Sequence, residues 1–452
     1  MLHAATDAAQ GEVPLTITAA GPGRSHDIPL PLVAMGAPGT VDKSFHWTPS
    51  FSPNARIVAV AVQPDGKIVV AGPPVVTDPV GSNIVLCRYL ADGSLDTTFS
   101  VGVIAFESAI TSISAMALQT DGKIVIVGAS FDGGIVMRYN TDGTSDSAFG
   151  QGGQVTLDFS AESPTSTEFD AVAIQPDGGL LIAGYTTAAG QNRDAMVARL
   201  TPEGSVDRSF GTLGHATAPF GSGQNKFLAM GLQSDGRIVA AGTAVPVGVS
   251  SHAVLARFDQ GGQLDNSFHG NGMFAVGPRE TVGGLGSVGW IFVQSDAKIV
   301  AGGAASEGIA LVRLNGSDGS VDLAFGANGI KQIGIDIGYV DPSPFIGGMI
   351  QDADGHIIIG GGADNGVLNP VPDSGWNSDT FIARLASDGL LDFSFSGGVI
   401  AHDFSADNGR INGTEAVSAI TSDADGRVIV ASWSLDENFS MPIYSTLGRF
   451  WP

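Results

Sequence analysis

The residues that could do chemistry recur along this chain instead of clustering in one place. Arginine occupies one column of an internal repeat, at positions 88, 138, 199, 257, 313, 384 and 449. An aspartate follows eight residues later in five of these repeats and nine later in the fifth repeat. Either the two residues form a structural pair across each turn, or they form a seven-fold ring of functional sites. Because the pattern occurs once per repeat, we expect structural pairs.

Two Asp-x-Asp-Gly stretches, at 352–355 and 423–426, resemble the start of a calcium loop. They lack the later ligands and the glutamate that complete such a loop. They also align with plain Gln-Pro-Asp-Gly hairpins in other repeats, so we predict structural turns. No cofactor is otherwise evident, and a divalent cation such as calcium is the one candidate retained.

Aromatic residues alternate with carboxylates in the most variable connections, which belong to the last three repeats. Such residues suit a sugar or a cationic ligand, through stacking, cation–π contact or hydrogen bonds. They equally suit loops that pack on their own aromatic side chains. The candidate ligand-binding residues are Tyr339, Asp341, Asp373, Trp376, Asp379, Trp433, Asp436 and Glu437.

Composition excludes several classes of partner. The 452 residues include 45 acidic and 21 basic side chains, giving a formal charge of −24, which repels nucleic acid and anionic membrane surfaces. No apolar run approaches 18 residues, and the N-terminus shows no secretion signal. The single cysteine, Cys87, lies in an apolar run and is predicted to be a buried, inert thiol. We expect a monomer that contacts neither nucleic acid nor membrane.

The elements that position these residues follow from the repeat. A hairpin aspartate recurs at 65, 121, 177, 235, 296, 354 and 425, and a period near 60 indicates stacked supersecondary units. In the second unit, strands are predicted at 114–119, 123–128, 135–139 and 154–158, with an Asp-Gly hairpin between the first two. The sequence therefore predicts an all-β, seven-bladed β-propeller of four-stranded antiparallel blades.

One repeated phrase is displaced. Residues 39–45 read GTVDKSF, although every other copy of this phrase follows a third strand, and the last repeat (416–452) ends without one. We predict that a strand at 39–50 completes this last blade and closes the ring, since closure removes exposed sheet edges. Asp42 should then lie near Arg449, with Phe45 in the place that Phe99 takes in its repeat. The domains are a 1–38 extension and one propeller at 39–452.

The paired phrases resemble the delta-60 repeat propellers of bacterial proteins. The resemblance is carried by 118–128 (LQTDGKIVIVG), followed by 138–143 (RYNTDG) and 146–150 (DSAFG), and it covers about residues 39–452. It implies a propeller that is often found on large exported proteins, so an extracellular or cell-surface location is expected. This family has no agreed activity or catalytic motif. Ala297 departs from the pattern, because glycine is usual there.

Three functions remain open. In a meander blade the first and third connections share one face of the ring, and the variable connections lie on the other, where binding residues accumulate. We expect a non-catalytic module that binds a glycan or protein through this variable face. The alternative is a hydrolase or lyase with a carboxylate-bound metal at the top of the channel. A structural spacer is the third hypothesis.

Overall fold

The computed structural model consists of β-strands joined by turns. It describes residues 11–21, 24–34, 36–47, 56–73, 83–100, 102–105, 110–160, 167–187, 192–248, 250–276, 285–305, 308–333, 345–368, 376–402, 414–435 and 444–452. Within these ranges there is no helix, and so none that is long and apolar enough to cross a membrane.

The strands group into successive sheets, which we number 1 to 7. Sheet 1 contains β3 (Ala59–Val62), β4 (Ile68–Gly72), β5 (Asn83–Tyr89) and β6 (Gly102–Ala105). Sheet 2 contains β7 (Ile110–Leu118), β8 (Ile124–Ser130), β9 (Gly133–Tyr139) and β10 (Gln154–Leu157). Sheet 3 contains β11 (Thr167–Ile174), β12 (Leu180–Thr187), β13 (Arg193–Leu200) and β14 (His215–Ala218). Sheet 4 contains β15 (Gly223–Leu232), β16 (Ile238–Pro246), β17 (His252–Phe258) and β18 (Met273–Ala275).

The remaining sheets follow the same order. Sheet 5 contains β19 (Trp290–Val293), β20 (Ile299–Ala305), β21 (Gly308–Leu314) and β22 (Ile330–Ile333). Sheet 6 contains β23 (Phe345–Gln351), β24 (Ile357–Leu368), β25 (Trp376–Leu385) and β26 (Val399–His402). Sheet 7 contains three strands, β27 (Thr414–Ser422), β28 (Val428–Leu435) and β29 (Tyr444–Phe450). Ahead of them, β1 (Gly11–Gly21) and β2 (Arg24–Ala34) pair as a separate two-stranded hairpin.

Consecutive strands pair antiparallel within each sheet, which confirms the predicted all-β fold and the four-stranded repeat unit. One parallel bridge, between Arg193 and Gln224, connects sheets 3 and 4. The first strands of successive sheets lie next to one another, and the first strand of sheet 7 lies next to β3. These first strands are therefore the inner strands of the assembly.

A bulge in the inner strand explains the glycine that ends the phrase QTDGKIVIVG. The register between β7 and β8 shifts between Ile113 and Ala115, and the same shift recurs in sheets 3, 4, 6 and 7. A Cβ on Gly128 would lie 2.1 Å from the carbonyl oxygen of Ser112. The bulge brings the two backbones so close that only glycine fits.

The core is divided into apolar layers between neighbouring sheets. The described residues form seven buried clusters, each shared by two successive sheets, and one of them joins sheet 7 to sheet 1. Ile429 and Leu447 of sheet 7 pack in this last cluster with Ile68 and Val85 of sheet 1. Trp290 and Phe292, the bulky residues of β19, pack in the layer between sheets 5 and 6. Cys87 is buried, as predicted.

The two ends of the chain meet at sheet 7. Val41 forms an antiparallel bridge with Phe450, and the amide of Asp42 donates to the carbonyl of Arg449 at 2.8 Å. The same bridge occurs in sheet 2, between Tyr139 and Ser145. Over residues 39–47 the predicted closing strand is wrong, because this segment forms turns and the single Val41 bridge, as the matching phrase does in sheet 2; residues 48–50 lie outside the described residues.

Candidate functional site

Each predicted Arg–Asp pair is present, and the pairs are structural. In sheet 2, Arg138 Nε donates to Asp146 Oδ2 at 2.7 Å, and the guanidinium lies 4.5 Å from the centre of the Phe149 ring. The displaced copy makes the same contacts, because Arg449 Nε lies 2.8 Å from Asp42 Oδ2 and its guanidinium lies over Phe45. The predicted contact between the two ends of the chain is thus confirmed.

These pairs also link neighbouring sheets. Arg88 Nη1 donates to the carbonyl of Thr141 in sheet 2, at 2.5 Å, and to Gln63 Oε1 in its own sheet. Burial opposes ionisation of Asp96, but hydrogen bonds from Thr98 and the Arg88 guanidinium lower its pKa to about 2. The charges of Arg88 and Asp96 are therefore paired with each other within the molecule.

The first and third connections lie on one face, here called the hairpin face, because Gln63 Nε2 donates to the carbonyl of Gly122, in the first connection of sheet 2, and to that of Thr141, in its third connection. A cleft of about 480 Å³ lies on this face between sheets 1 and 2. Its lining includes Gln63, Lys67 and Arg88, which belong to the repeated network. The cleft is thus built from residue types that recur around the molecule.

The Asp-x-Asp-Gly stretches are turns, as predicted. Asp352 Oδ1 accepts hydrogen bonds from the amides of Asp354 and His356, and Oδ2 lies 2.9 Å from His356 Nδ1. In the second copy, Asp423 Oδ2 accepts from Arg427 Nε at 2.7 Å. No group of three or more His, Cys, Asp or Glu side chains suited to a metal occurs among the described residues.

The proposed ligand-binding residues fall largely outside the described residues. Those outside are Tyr339, Asp341, Asp373, Asp436 and Glu437. Trp376 and Asp379 lie on β25, where their backbones pair with Leu368 and Ala363 of β24. Trp433 lies on β28, at the end of the strand away from the hairpin face, here called the opposite face.

Trp433 is half-buried and stacks with an arginine from the other end of the chain. The Arg56 guanidinium, which precedes β3, lies 5.0 Å from the Trp433 ring centre. Trp433 Nε1 and Arg56 Nε are buried and have no hydrogen-bond partner among the described residues. Burial lowers the pKa of Arg56. The pair therefore keeps two donors unused beside the opposite face.

Sequence reasoning missed a second site of this kind. Tyr185 of β12 is the counterpart of Trp433, since each lies eight residues after its hairpin aspartate, and Arg193 lies 4.2 Å from the Tyr185 ring centre. Tyr185 Oη donates to Glu168 Oε2 at 2.8 Å. At this position the other repeats carry smaller, non-aromatic residues, namely Pro73, Ala129, Thr243, Ala304 and Gly362. The sequence signal that could have indicated this site is the aromatic residue, Tyr185 or Trp433, at a position where the other repeats have none.

Comparison with known proteins supports a β-propeller repeat family. The model of the DUF5122 beta-propeller, a domain of unknown function, matches residues 63–99, 119–149, 175–210, 233–268 and 294–325. A search of curated proteins gives no match.

Many solved structures show a likeness in fold. They include an inactive variant of virginiamycin B lyase from Staphylococcus aureus with quinupristin (11% identity, TM-score 0.46, covering 89% of this chain and 96% of that one). The structure of U3-55K shows 11% identity and a TM-score of 0.47, covering 89% of this chain and 97% of that one. An α-L-arabinofuranosidase from Fusarium graminearum with an iminosugar inhibitor shows 9% identity and a TM-score of 0.45, covering 79% of this chain and 99% of that one. At these identities the likeness concerns the fold and not the activity.

Proposed function

We propose that this protein is a non-catalytic module that binds a glycan or a protein through the opposite face. The observation that carries the proposal is the difference between the two faces. On the hairpin face the arginines and aspartates are used in contacts within and between sheets. On the opposite face, Tyr185 and Trp433 break the repeat, each with a guanidinium over its ring. Specific recognition of one ligand needs such unlike groups.

The molecule that presents this face is, in our proposal, a closed seven-bladed propeller of the delta-60 repeat type, exported to the cell surface or beyond and monomeric. Closure is supported by the apolar layer between sheets 7 and 1 and by the Asp42–Arg449 pair. The charge of −24 argues against nucleic acid and anionic membrane as partners.

The remaining candidates, Tyr339, Asp341, Asp373, Trp376, Asp379, Asp436 and Glu437, belong to connections that a meander places on the same face as Trp433. Aromatic stacking on a cation contributes about 0.5 to 2 kcal/mol. We therefore expect Trp376→Ala and Trp433→Ala each to weaken binding about two- to thirtyfold.

The experiment is a glycan array together with affinity capture of a protein ligand, followed by calorimetry on the variants. Phe393→Ala is the matched control, because this aromatic residue is exposed on the hairpin face. Unchanged affinity in both tryptophan variants, or a loss in the control alone, would contradict the proposal. The alternative, a hydrolase or lyase with a carboxylate-bound metal, predicts stoichiometric metal in the purified protein by elemental analysis.

A further inference from the structure

Arginines that lie over an aromatic ring recur in this structure, and most of them also pair with a carboxylate. Among the described residues, ten arginines make such a ring contact. Eight of the ten lie within 2.9 Å of an aspartate oxygen, namely Arg88, Arg138, Arg199, Arg257, Arg313, Arg384, Arg427 and Arg449. The two without an ion pair among the described residues are Arg56 and Arg193.

Of these two, Arg56 is the arginine with no carboxylate held close to it by the described residues. The ring beneath Arg193 belongs to Tyr185, whose hydroxyl donates to Glu168 Oε2 at 2.8 Å, so a carboxylate lies near that guanidinium. Burial lowers the pKa of Arg56, and no carboxylate among the described residues offsets this effect. A partly buried cation without a counter-ion is unfavourable. A ligand that supplies a negative charge would stabilise it.

Direct contacts place Arg56 and Trp433 in the gap between sheets 7 and 1. The Arg56 guanidinium lies 5.0 Å from the Trp433 ring centre. Trp433 pairs with Ser445 of β29, and Ser445 Oγ accepts a hydrogen bond from the amide of Ile57 at 3.0 Å. Ile57 packs in the apolar layer shared by the two sheets, as does Ala431, two residues before Trp433. The pair therefore covers the end of this layer that points toward the opposite face.

Part of this pair can be reached by a ligand. Arg56 and Trp433 each keep some of their surface exposed. Arg56 Nε and Trp433 Nε1 are enclosed, whereas Nη1 and Nη2 of Arg56 are not among the enclosed atoms and have no hydrogen bond within the described part of the chain. The Nη edge of the guanidinium is therefore the part that a ligand contacts.

A carboxylate fits this edge, because its two oxygens accept two parallel hydrogen bonds from Nη1 and Nη2. The indole beside the guanidinium offers an apolar surface on which a sugar ring can lie. We propose that Arg56 and Trp433 form a subsite for the carboxylate of an acidic sugar. This inference rests on the proposed binding function and specifies its ligand as a carbohydrate. Because the charge of −24 repels a polyanion, the ligand carries this carboxylate on an otherwise neutral oligosaccharide.

The test begins with a printed array of neutral oligosaccharides and of oligosaccharides that contain one uronic acid. Calorimetry then compares the acidic oligosaccharide that binds best with its carboxyl-reduced counterpart. The parent protein should bind the acidic form about tenfold or more tightly, and Arg56→Gln should bind the two forms alike. An arginine that only supports the fold would change both affinities together, so the comparison separates recognition from folding.

Arg208→Gln is the matched control. Arg208 is exposed in the third connection of sheet 3, on the hairpin face, so this substitution removes the same charge from the other face of the molecule. The control should keep the preference of the parent protein for the acidic form. Circular dichroism and melting are checked for each variant.

The outcomes separate the two proposals. A preference that is lost in Arg56→Gln and kept in Arg208→Gln supports the subsite. A preference that persists in Arg56→Gln, or a neutral oligosaccharide that binds as tightly as the acidic one and is lost in Trp433→Ala, overturns the subsite and leaves the binding function standing. Capture of a protein with no oligosaccharide bound overturns the carbohydrate assignment alone. If no ligand of either kind is found, both proposals are overturned.

Discussion

Each repeat needs one residue with a left-handed backbone in its first hairpin. Glycine fills this position in six repeats, for example Gly66 with φ of 82° and Gly122 with φ of 80°, whereas the fifth repeat uses Ala297 with φ of 67°. A side chain in this region costs about 1 to 2 kcal/mol. The fifth repeat therefore carries local strain at the position where its sequence departs from the others.

We predict that Ala297→Gly raises the free energy of unfolding by about 1 kcal/mol, because it removes the strain at a small entropic cost. Chemical denaturation measures the change. The reverse substitution, Gly66→Ala, is the control, since its added Cβ would find its nearest atom 3.9 Å away and so tests the backbone alone. It should lose about the same amount. Loss of stability in Ala297→Gly would contradict this account.

Asp170 should make the folded state less stable at neutral pH than a neutral residue would. Its folded pKa of about 6 lies above the unfolded value of 3.8, so ionisation disfavours folding as pH rises through 6. We predict that Asp170→Asn gains about 1 to 2 kcal/mol at pH 8 and that the gain shrinks as pH falls toward 4. Urea denaturation across this range provides the measurement. A gain independent of pH, or a loss at pH 8, would show that the carboxylate is held by partners.

At the scale of the element, each repeating unit is a hairpin and a third strand that are connected by ion pairs. Asp265 in sheet 4 is shared by Arg257, which is fully buried, and by Arg237 of the hairpin at 2.9 Å. In sheet 3, Gly179 stands where Arg237 stands in sheet 4, and both members of the Arg199–Asp207 pair are more exposed. The same motif is therefore buried to different degrees in neighbouring sheets.

This difference predicts unequal mutational effects. Asp265→Asn should destabilise the protein by about 3 kcal/mol, because it leaves the buried Arg257 without its charge partner. Asp207→Asn should cost clearly less, since water reaches that pair. Thermal or urea denaturation of the two variants compares them directly. Equal losses would mean that burial does not control the contribution of these pairs.

The elements were predictable from sequence, because Asp-Gly hairpins, alternating strands and the Arg–Asp spacing act over short stretches of chain. The role of Asp42 could be predicted only because six other copies of its phrase show which segment the last repeat lacks. The contacts that join Glu168, Tyr185 and Arg193 were not found, since the three residues come from three strands that only the fold brings together. The stacking of Arg56 on Trp433 likewise joins distant parts of the chain.

At the scale of the whole molecule, the proposed closure rests on the contacts between the N-terminal segment and sheet 7. Arg449 is buried and pairs with Asp42, and its Nη1 also donates to the carbonyl of Ala91 in sheet 1 at 2.5 Å. Gly39 donates to the carbonyl of Trp451, and Trp451 donates to that of Thr40. The N-terminal segment thus joins sheet 7 to the rest of the proposed ring.

The most direct test of this account compares two truncations by thermal melting and size-exclusion chromatography. Deleting residues 1–34 removes the hairpin β1–β2 and keeps Asp42, so it should leave melting and monomeric state close to those of the full chain. Deleting residues 1–45 also removes Asp42, leaving Arg449 buried without its partner and the edge of sheet 7 open. We predict a melting temperature lower by about 5 °C or more and self-association of the shortened chain. If the second truncation melts and remains monomeric like the full chain, the ring is not closed by these residues and the account is wrong.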